Sequence, residues 1–242
     1  MIESGTTFKG FDKELFTFFK DLEKNNNIDW FHKNKHRYTE FLVEPAKALV
    51  TELAPFLNRL NPAIRSEPKF NKTLMRINKD MRFAKGAPYK NYFLIHFGRF
   101  KLDSEFFVYF DAQSVQIGLF LNNSEDKDLY FSKNLKRYKK QMLEVFDQYK
   151  INNRYSLYNL GKNIDLVLQK FNANKHIDKF YDMKYILLQK ANDPSWKKVF
   201  SDQLIIEVIK MISTLYPLYC FAISPQPMKE LQKFEDNFGT IV

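Results

Sequence analysis

The chain has 242 residues, 45% of them hydrophobic and 17% aromatic, with a formal net charge of +10 and a pI near 9.4. That apolar content can build a sizeable core, which excludes a disordered chain, and only seven glycines argue against a glycine-rich nucleotide-binding fold. A single cysteine, Cys220, excludes an internal disulfide and a cysteine-based zinc site; it sits in the apolar run LYPLYCFAI and reads as a small buried hydrophobe. The basic balance fits affinity for nucleic acid, phosphorylated ligands or acidic surfaces. It equally fits compositional drift, since Lys, Asn, Ile, Phe and Tyr are enriched together. Met1–Gly10 lacks the apolar core of a signal peptide, and no run approaches the roughly 18 apolar residues of a membrane span. A cytoplasmic protein with no membrane partner is expected.

In chain order, Phe11–Lys24 places Phe11, Leu15, Phe18, Phe19 and Leu22 at helical spacing behind Asp12, and the asparagines at 25–27 end that helix. Asp29 is the expected cap of a second helix, Trp30–Leu42. Pro45 suits the first turn of a third, with Ala46, Leu49, Val50 and Leu53 on one face; Pro55, Pro62 and Pro68 should then break the pattern. Strands are expected over Thr73–Phe83, Tyr92–Phe100, Glu105–Phe110 and Val115–Leu121, the last two as a hairpin turning at Asp111–Ser114. Leu129–Tyr149 reads as one long helix carrying Lys133, Lys136, Arg137 and Lys140 as a basic stripe. Ile151–Gly161 and Met183–Lys190 are short strands, Ile164–Phe171 a short helix, and Ser201–Leu215 a helix buried on most sides, closed off by Pro217, Pro225 and Pro227. The expected fold class is α+β. A mostly antiparallel sheet would be flanked by an N-terminal helical group and a buried C-terminal helix, in one domain over 1–242.

The densest chemistry lies in NKTLMRINKDMRFAKGAPYKNY, residues 71–92. Read as a strand, Met75, Ile77, Met81 and Phe83 share one face with Lys79, and Arg76, Asn78, Asp80 and Arg82 share the other. A carboxylate between two guanidinium groups can orient both forks and leave further N–H donors for an anion. Only eight of the 38 basic residues are arginines, and four of those lie between Arg65 and Arg99. The plainer reading is an edge strand with a solvated charged face. Tyr89, between Pro88 and Lys90 on a loop, reads equally well as an exposed stacking residue or as part of the core.

Other chemistry finds less support. His32 and His36 have the i, i+4 spacing of two metal ligands, but no Glu follows His32 and lysines surround the pair. They read as exposed helix residues, and neither a metal nor a cofactor is expected. No nucleophile elbow or phosphate-binding glycine loop is present.

The string MRINKDMRFAKGAPYKNYF resembles the signature of a bacterial and fungal family, domain of unknown function 2461, which runs approximately R-I-x-R-D-x-R-F-S-K-D-K-T-P-Y-K. Arg76, Ile77, Asp80, Arg82, Phe83, Lys85, Pro88, Tyr89 and Lys90 fall on its positions. Lys79 stands where the family usually has Arg, and the Phe-to-Pro loop is one residue shorter, with Gly86–Ala87 in place of a more charged sequence. Phe18, Leu22, Asn25, Asn26, Trp30, Phe31, Asn34, Lys35 and Tyr38 resemble a second family run, F-L-x-x-L-x-x-N-N-x-x-W-F-x-x-N-K-x-x-Y. After Tyr109 only the layout is similar. The family has no assigned activity, so the resemblance implies kinship and no reaction.

Three functional expectations follow. The first is an anion site of Arg76, Asp80, Arg82, Lys85, Tyr89 and Lys90 for a phosphate-bearing small molecule or nucleic acid, with Asp80 orienting the arginines. The second is a scaffold or interaction protein in which Arg76, Asp80 and Arg82 form a buried ion network. The third is nonspecific nucleic-acid binding along Lys133–Lys140.

Overall fold

The computed structural model describes residues 7–83 and 85–239. Six strands form one antiparallel sheet in the order β1-β2-β3-β6-β4-β5, and together with the helices this makes the fold α+β. The strands are β1 Tyr92–Phe97, β2 Glu105–Asp111, β3 Val115–Asn122, β4 Ser156–Leu160, β5 Ile164–Leu168 and β6 Tyr185–Asn192. The chain forms two compact units. One holds the chain up to Phe97 with Val108–Gln116 and Ala191–Ile209; the other holds Gly98–Phe107, Ile117–Lys190 and the chain from Lys210.

In the first unit, helix α1 (Glu14–Lys24) buries Leu15, Phe16, Phe18, Phe19 and Leu22, the stripe its helical spacing implies. Helix α2 (Ile28–Tyr38) starts earlier than expected. Its cap is Asn27, whose side-chain oxygen accepts the Trp30 N–H at 2.9 Å, and not Asp29. One π turn, Thr39–Val43, leads into helix α3 (Glu44–Leu60). Pro45 lies in its first turn as expected, but Pro55 lies inside it and does not break it. Leu53, Leu57 and Leu60 are buried on both sides of Pro55, and that packing outweighs the roughly 3 kcal/mol a helical proline costs. Arg37 ties α1 to α2: its guanidinium donates to Glu14 at 2.6 Å and to Asp21 at 2.8 Å. The two helices thereby form a rigid base. The Asp111 carboxylate accepts the N–H groups of Gln113 and Ser114 at 2.8 and 2.7 Å, which closes the turn after β2.

In the second unit, the expected single helix over Leu129–Tyr149 is two, α4 (Phe131–Arg137) and α5 (Lys139–Gln148), parted at Tyr138 with φ −120° and ψ 29°. The basic stripe is therefore interrupted, and Lys136 is paired with Glu125 at 2.9 Å. The expected helix over Ile164–Phe171 is instead strand β5, antiparallel to β4 with Leu160 opposite Ile164. Eight residues are too few to stabilise a helix alone, and Ile164 and Val167 are β-branched. A short helix α6 (Ala173–His176) and a 3₁₀ turn (Ile177–Asp182) precede β6, and Phe171 stacks on Phe180 at 4.9 Å.

A second 3₁₀ turn, Lys197–Phe200, belongs to the first unit, and its Val199 carbonyl accepts the Phe11 N–H at 2.8 Å. Helix α7 runs Gln203–Ile223 and is continuous through Pro217, which was expected to end it. Leu215, Tyr216, Leu218, Tyr219, Cys220 and Phe221 are all buried, so burial again overrides the local rule. Its final carbonyls are satisfied from elsewhere in the second unit. Arg99 donates to Ile223 at 2.8 Å, and Asn134 donates to Phe221 and Ser224 at 2.8 and 2.7 Å, with the guanidinium charge favourable at a helix C-terminus. Helix α8 (Pro227–Phe238) ends the described chain. By length and hydropathy α7 also matches a membrane span, contrary to expectation, but two-thirds of its most apolar stretch is buried within the fold. Burial pushes the Cys220 thiol well above its ordinary pKa, in keeping with an inert core residue.

Candidate functional site

The 71–92 stretch lies wholly in the first unit, and the N-terminal helices hold it in place. Thr73–Lys79 runs antiparallel to Pro88–His96 as an irregular ribbon, not as a regular strand. The Met75 N–H donates to Leu94 at 3.0 Å and the His96 N–H to Thr73 at 2.9 Å; further on, the Lys90 N–H donates to Ile77 and the Lys79 N–H to Pro88, both at 2.8 Å. Between these two pairs the register slips: Met75 and Ile77 are two positions apart, while Leu94 and Lys90 are four apart. Extra residues of this kind bend and twist a ribbon away from regular pairing.

Three side chains of α2 and its approach anchor the ribbon. Asn26 acts as a substitute strand neighbour. Its Nδ2 donates to the Tyr89 carbonyl at 2.9 Å and to Asn91 Oδ1 at 2.7 Å, and its Oδ1 accepts the Tyr89 N–H at 3.0 Å. Phe31 stacks on the Tyr89 ring with centroids 4.1 Å apart and an interplanar angle of 26°. Tyr38 is buried against Phe31 and Phe93. Burial raises its phenol pKa, opposed by the Arg76 charge and the backbone of Ile77. The two runs that resemble family motifs are thus one physical assembly.

The alternation expected of Thr73–Phe83 holds from Met75 to Asp80, after two adjacent buried residues, Thr73 and Leu74. Ile77 is fully buried, and Arg76, Asn78, Asp80 and Arg82 are exposed. It then fails, because residues 80–83 form a turn in which the Phe83 N–H donates to the Asp80 carbonyl at 3.0 Å. Met81 and Phe83, expected in the core, are 47% and 86% exposed. Asp80 accepts from Arg82 through Nε at 2.9 Å, a terminal nitrogen at 2.7 Å and the backbone N–H at 3.2 Å. These bonds hold its carboxyl below the usual carboxylate range.

Asp80 does not also orient Arg76, as the row reading required. The Arg76 guanidinium instead lies over the Phe70 ring at 5.1 Å, and Arg82 lies over Phe83 at 5.6 Å. Nor is this the buried network of the scaffold reading, since the Arg82 and Asp80 side chains are 81% and 48% exposed.

Lys85 is exposed, ahead of Gly86 at φ +85°, a left-handed conformation natural to glycine. Lys90 is half-buried. Its ammonium donates to the Arg76 carbonyl at 3.1 Å and lies 2.9 Å from Met75 Sδ. Desolvation, with Lys79 adding repulsion, lowers its pKa. Among the described residues no carboxylate pairs with Arg76, Lys79, Lys85 or Lys90. Tyr89 is only 4% exposed, which settles its reading in favour of the core: its ring is an anchor and does not face solvent.

Sequence reasoning missed two parts of this surface. Phe83 was assigned inward, although Asp80 is a residue type that opens turns. Asn26 was noted only as a motif position; no local signal pairs it with a backbone 63 residues away. Trp30 packs on Phe18 at 5.8 Å, and His32 and His36 are exposed on α2. Two shallow depressions, of about 530 Å³ beside Lys35, His36 and Glu40 and about 540 Å³ beside Arg137, Tyr138 and Met228, include no ribbon residue in their walls. The ribbon presents a cationic surface on a braced support.

No curated protein matches the chain. The family model for a conserved hypothetical protein, DUF2461, matches residues 14–221, a span that takes in both the anchoring helices and the ribbon. The chain belongs to the DUF2461 family.

Proposed function

We propose that the protein binds a phosphate-bearing anion on the ribbon through Arg76, Lys79, Arg82, Lys85 and Lys90. One observation carries this reading. The segment is clamped from the α2 side by Asn26, Phe31 and Tyr38, while its cations face outward or sit without a carboxylate partner. Cations that served only the fold would be expected to pair with acids, as Arg37 does with Glu14 and Asp21. Arg76 keeps its whole guanidinium fork available above Phe70. Arg82 spends one edge on Asp80 and keeps its remaining N–H donors for an acceptor. Tyr89 takes no part in contact; it holds the loop. No reaction is assigned, because the ribbon offers no nucleophile–base pair, and Asp80, held ionised by Arg82, is a poor proton donor near neutrality.

The test is a thermal-shift and calorimetric screen of nucleotides, pyrophosphate and short oligonucleotides against wild type, Arg76→Ala and Arg82→Ala. A ligand that binds only the folded state raises Tm by mass action. Both variants should lose affinity while their ligand-free Tm stays at the wild-type value, since neither side chain is packed in the core. Unfolding of both variants would make the ribbon a structural element and end this reading.

A further inference from the structure

We infer that the anion bound by the ribbon is a single-stranded nucleic acid, with Phe83 as a stacking platform for a base. This rests on the anion-binding reading above and adds the ligand class.

Phe83 is the most exposed large hydrophobic side chain among the described residues, at 86%, and Met81 beside it is 47% exposed. A phenylalanine ring left in water forgoes the gain available from burial, so its exposure at the residue that closes the 80–83 turn needs an explanation. The turn itself supplies one. The Asp80 carboxylate and the Arg82 guanidinium lock together, and Arg82 in turn lies over the Phe83 ring at 5.6 Å. One face of the ring is thus backed by a cation, and the ring is held out into solvent.

A second couple of the same kind occurs on the same ribbon, where Arg76 lies 5.1 Å over the half-buried Phe70. Lys79, Lys85 and Lys90 fall between or beside the two couples in the chain. Alternating cations and aromatic rings along an open surface are what a flexible polyanion with planar bases requires: phosphates meet the charges and bases stack on the rings. A lone phosphate or a small phosphorylated metabolite would use the cations and leave Phe83 without a role. An anionic bilayer is disfavoured by Asp80, whose carboxylate sits in the same turn as the exposed Met81 and Phe83. A duplex presents its bases edge-on and offers no free ring face to Phe83.

The deciding experiment uses fluorescence anisotropy with the full chain and three labelled 12-mers: oligodeoxythymidylate, oligouridylate, and an abasic deoxyribose-phosphate strand of equal charge. Vesicles containing phosphatidylserine and free pyrophosphate serve as separate ligands. Wild type should bind the base-bearing strands about tenfold more tightly than the abasic strand, and Phe83→Ala should abolish that preference with no loss on the abasic strand. Phe83 buries almost nothing, so the variant folds as wild type does, and an unchanged Tm documents it. The ratio of the two base-bearing strands separates DNA from RNA.

Equal wild-type binding of the base-bearing and abasic strands, unmoved by Phe83→Ala, would overturn the stacking role and leave the anion reading standing. Binding of vesicles with no strand bound would overturn the nucleic-acid assignment in favour of a membrane surface. If no strand, vesicle or pyrophosphate binds, the inference and the anion reading fall together.

Discussion

Asn26 offers the sharpest test of how the ribbon is held. Replacing it with Ala deletes three hydrogen bonds, two of them to the backbone of Tyr89. The bond to Asn91 is exposed and contributes little. The two to Tyr89 serve a residue that is 4% exposed, so the groups left behind are poorly solvated. At about 1 kcal/mol net for each of these bonds, Asn26→Ala should cost about 2 kcal/mol. For a chain of this length that corresponds to a fall in Tm of about 4–8 °C if the ribbon unfolds with the rest. If it opens locally, the same free energy appears as amide exchange about thirtyfold faster around Tyr89 and Lys90. Hydrogen exchange followed by mass spectrometry on peptides covering residues 77–92 reads both cases. Asn26→Asp is the discriminating control. A carboxylate still accepts the Tyr89 N–H and suits the nearby N-terminus of α2, but it faces the Tyr89 carbonyl with no proton to donate. Its exchange at Lys90 should be as fast as in the Ala variant even where its Tm recovers. Wild-type exchange across 77–92 in Asn26→Ala would refute the clamp, and Phe31–Tyr89 stacking would then have to hold the loop alone.

Two further predictions follow from burial and charge. The Lys90 pKa is depressed by desolvation and by Lys79, so the fold penalises the ammonium form. That penalty is present at neutral pH and relieved as pH rises from the depressed value toward the ordinary lysine value of 10.5. Stability should therefore gain from this group over that window, and anion affinity should fall as the ammonium deprotonates. Lys90→Met should remove both effects, as read by calorimetry across pH; an unchanged pH profile would show that Lys90 does not contact the anion. Separately, Asp103 is fully buried and pairs with Arg99 through two bonds of 2.8 and 3.0 Å. Asp103→Ala leaves the Arg99 charge uncompensated and should cost about 3–5 kcal/mol, seen as a large loss of Tm by scanning calorimetry. A shift within a degree of wild type would mean that water satisfies Arg99.

The amphipathic helices α1 to α3 were legible because each has one apolar face at helical period, and strands β1 to β3 because each is a short apolar or aromatic run, β2 and β3 being joined by the turn residues Asp111–Ser114. Failures came where a local rule met a stronger tertiary term. Pro55 and Pro217 read as breakers, yet buried leucines and aromatics on both sides carry α3 and α7 through them. Tyr138 interrupts α4 and α5 without any proline or glycine to announce it. Ile164–Phe171 reads as a helix, and Ile164–Leu168 is a strand because its partner β4, not its own period, decides it. In the ribbon, period-two alternation correctly turned Arg76, Asn78, Asp80 and Arg82 outward, and it misplaced Met81 and Phe83 because it assumed an unbroken strand past Asp80. Tyr89 was undecidable locally: its burial depends on Asn26 and Phe31, which are remote in sequence.

These outcomes divide the motif residues by physical role. Asn26, Phe31, Tyr38, Ile77 and Tyr89 are packed or hydrogen-bonded to one another and account for the ribbon's position. Arg76, Arg82 and Lys85 are exposed and none packs in the core, although Arg82 braces the 80–83 turn through Asp80. Lys90 works against the fold, because its desolvated ammonium lies within the repulsive field of Lys79. A methionine or leucine there would pack against the Tyr92 ring, over which the lysine now lies at 6.0 Å, with no desolvation cost. The fold thus holds here a charge that desolvation and Lys79 disfavour, offset in part by its bond to the Arg76 carbonyl at 3.1 Å. An anion would reverse the sign of that cost: bound between Lys79 and Lys90 it would turn their repulsion into two attractions and restore the Lys90 pKa. The structural penalty and the binding gain are two measures of the same electrostatic arrangement. Lys90→Met should therefore stabilise the free protein and weaken the complex together, and a variant that did one without the other would show that the two effects have separate origins.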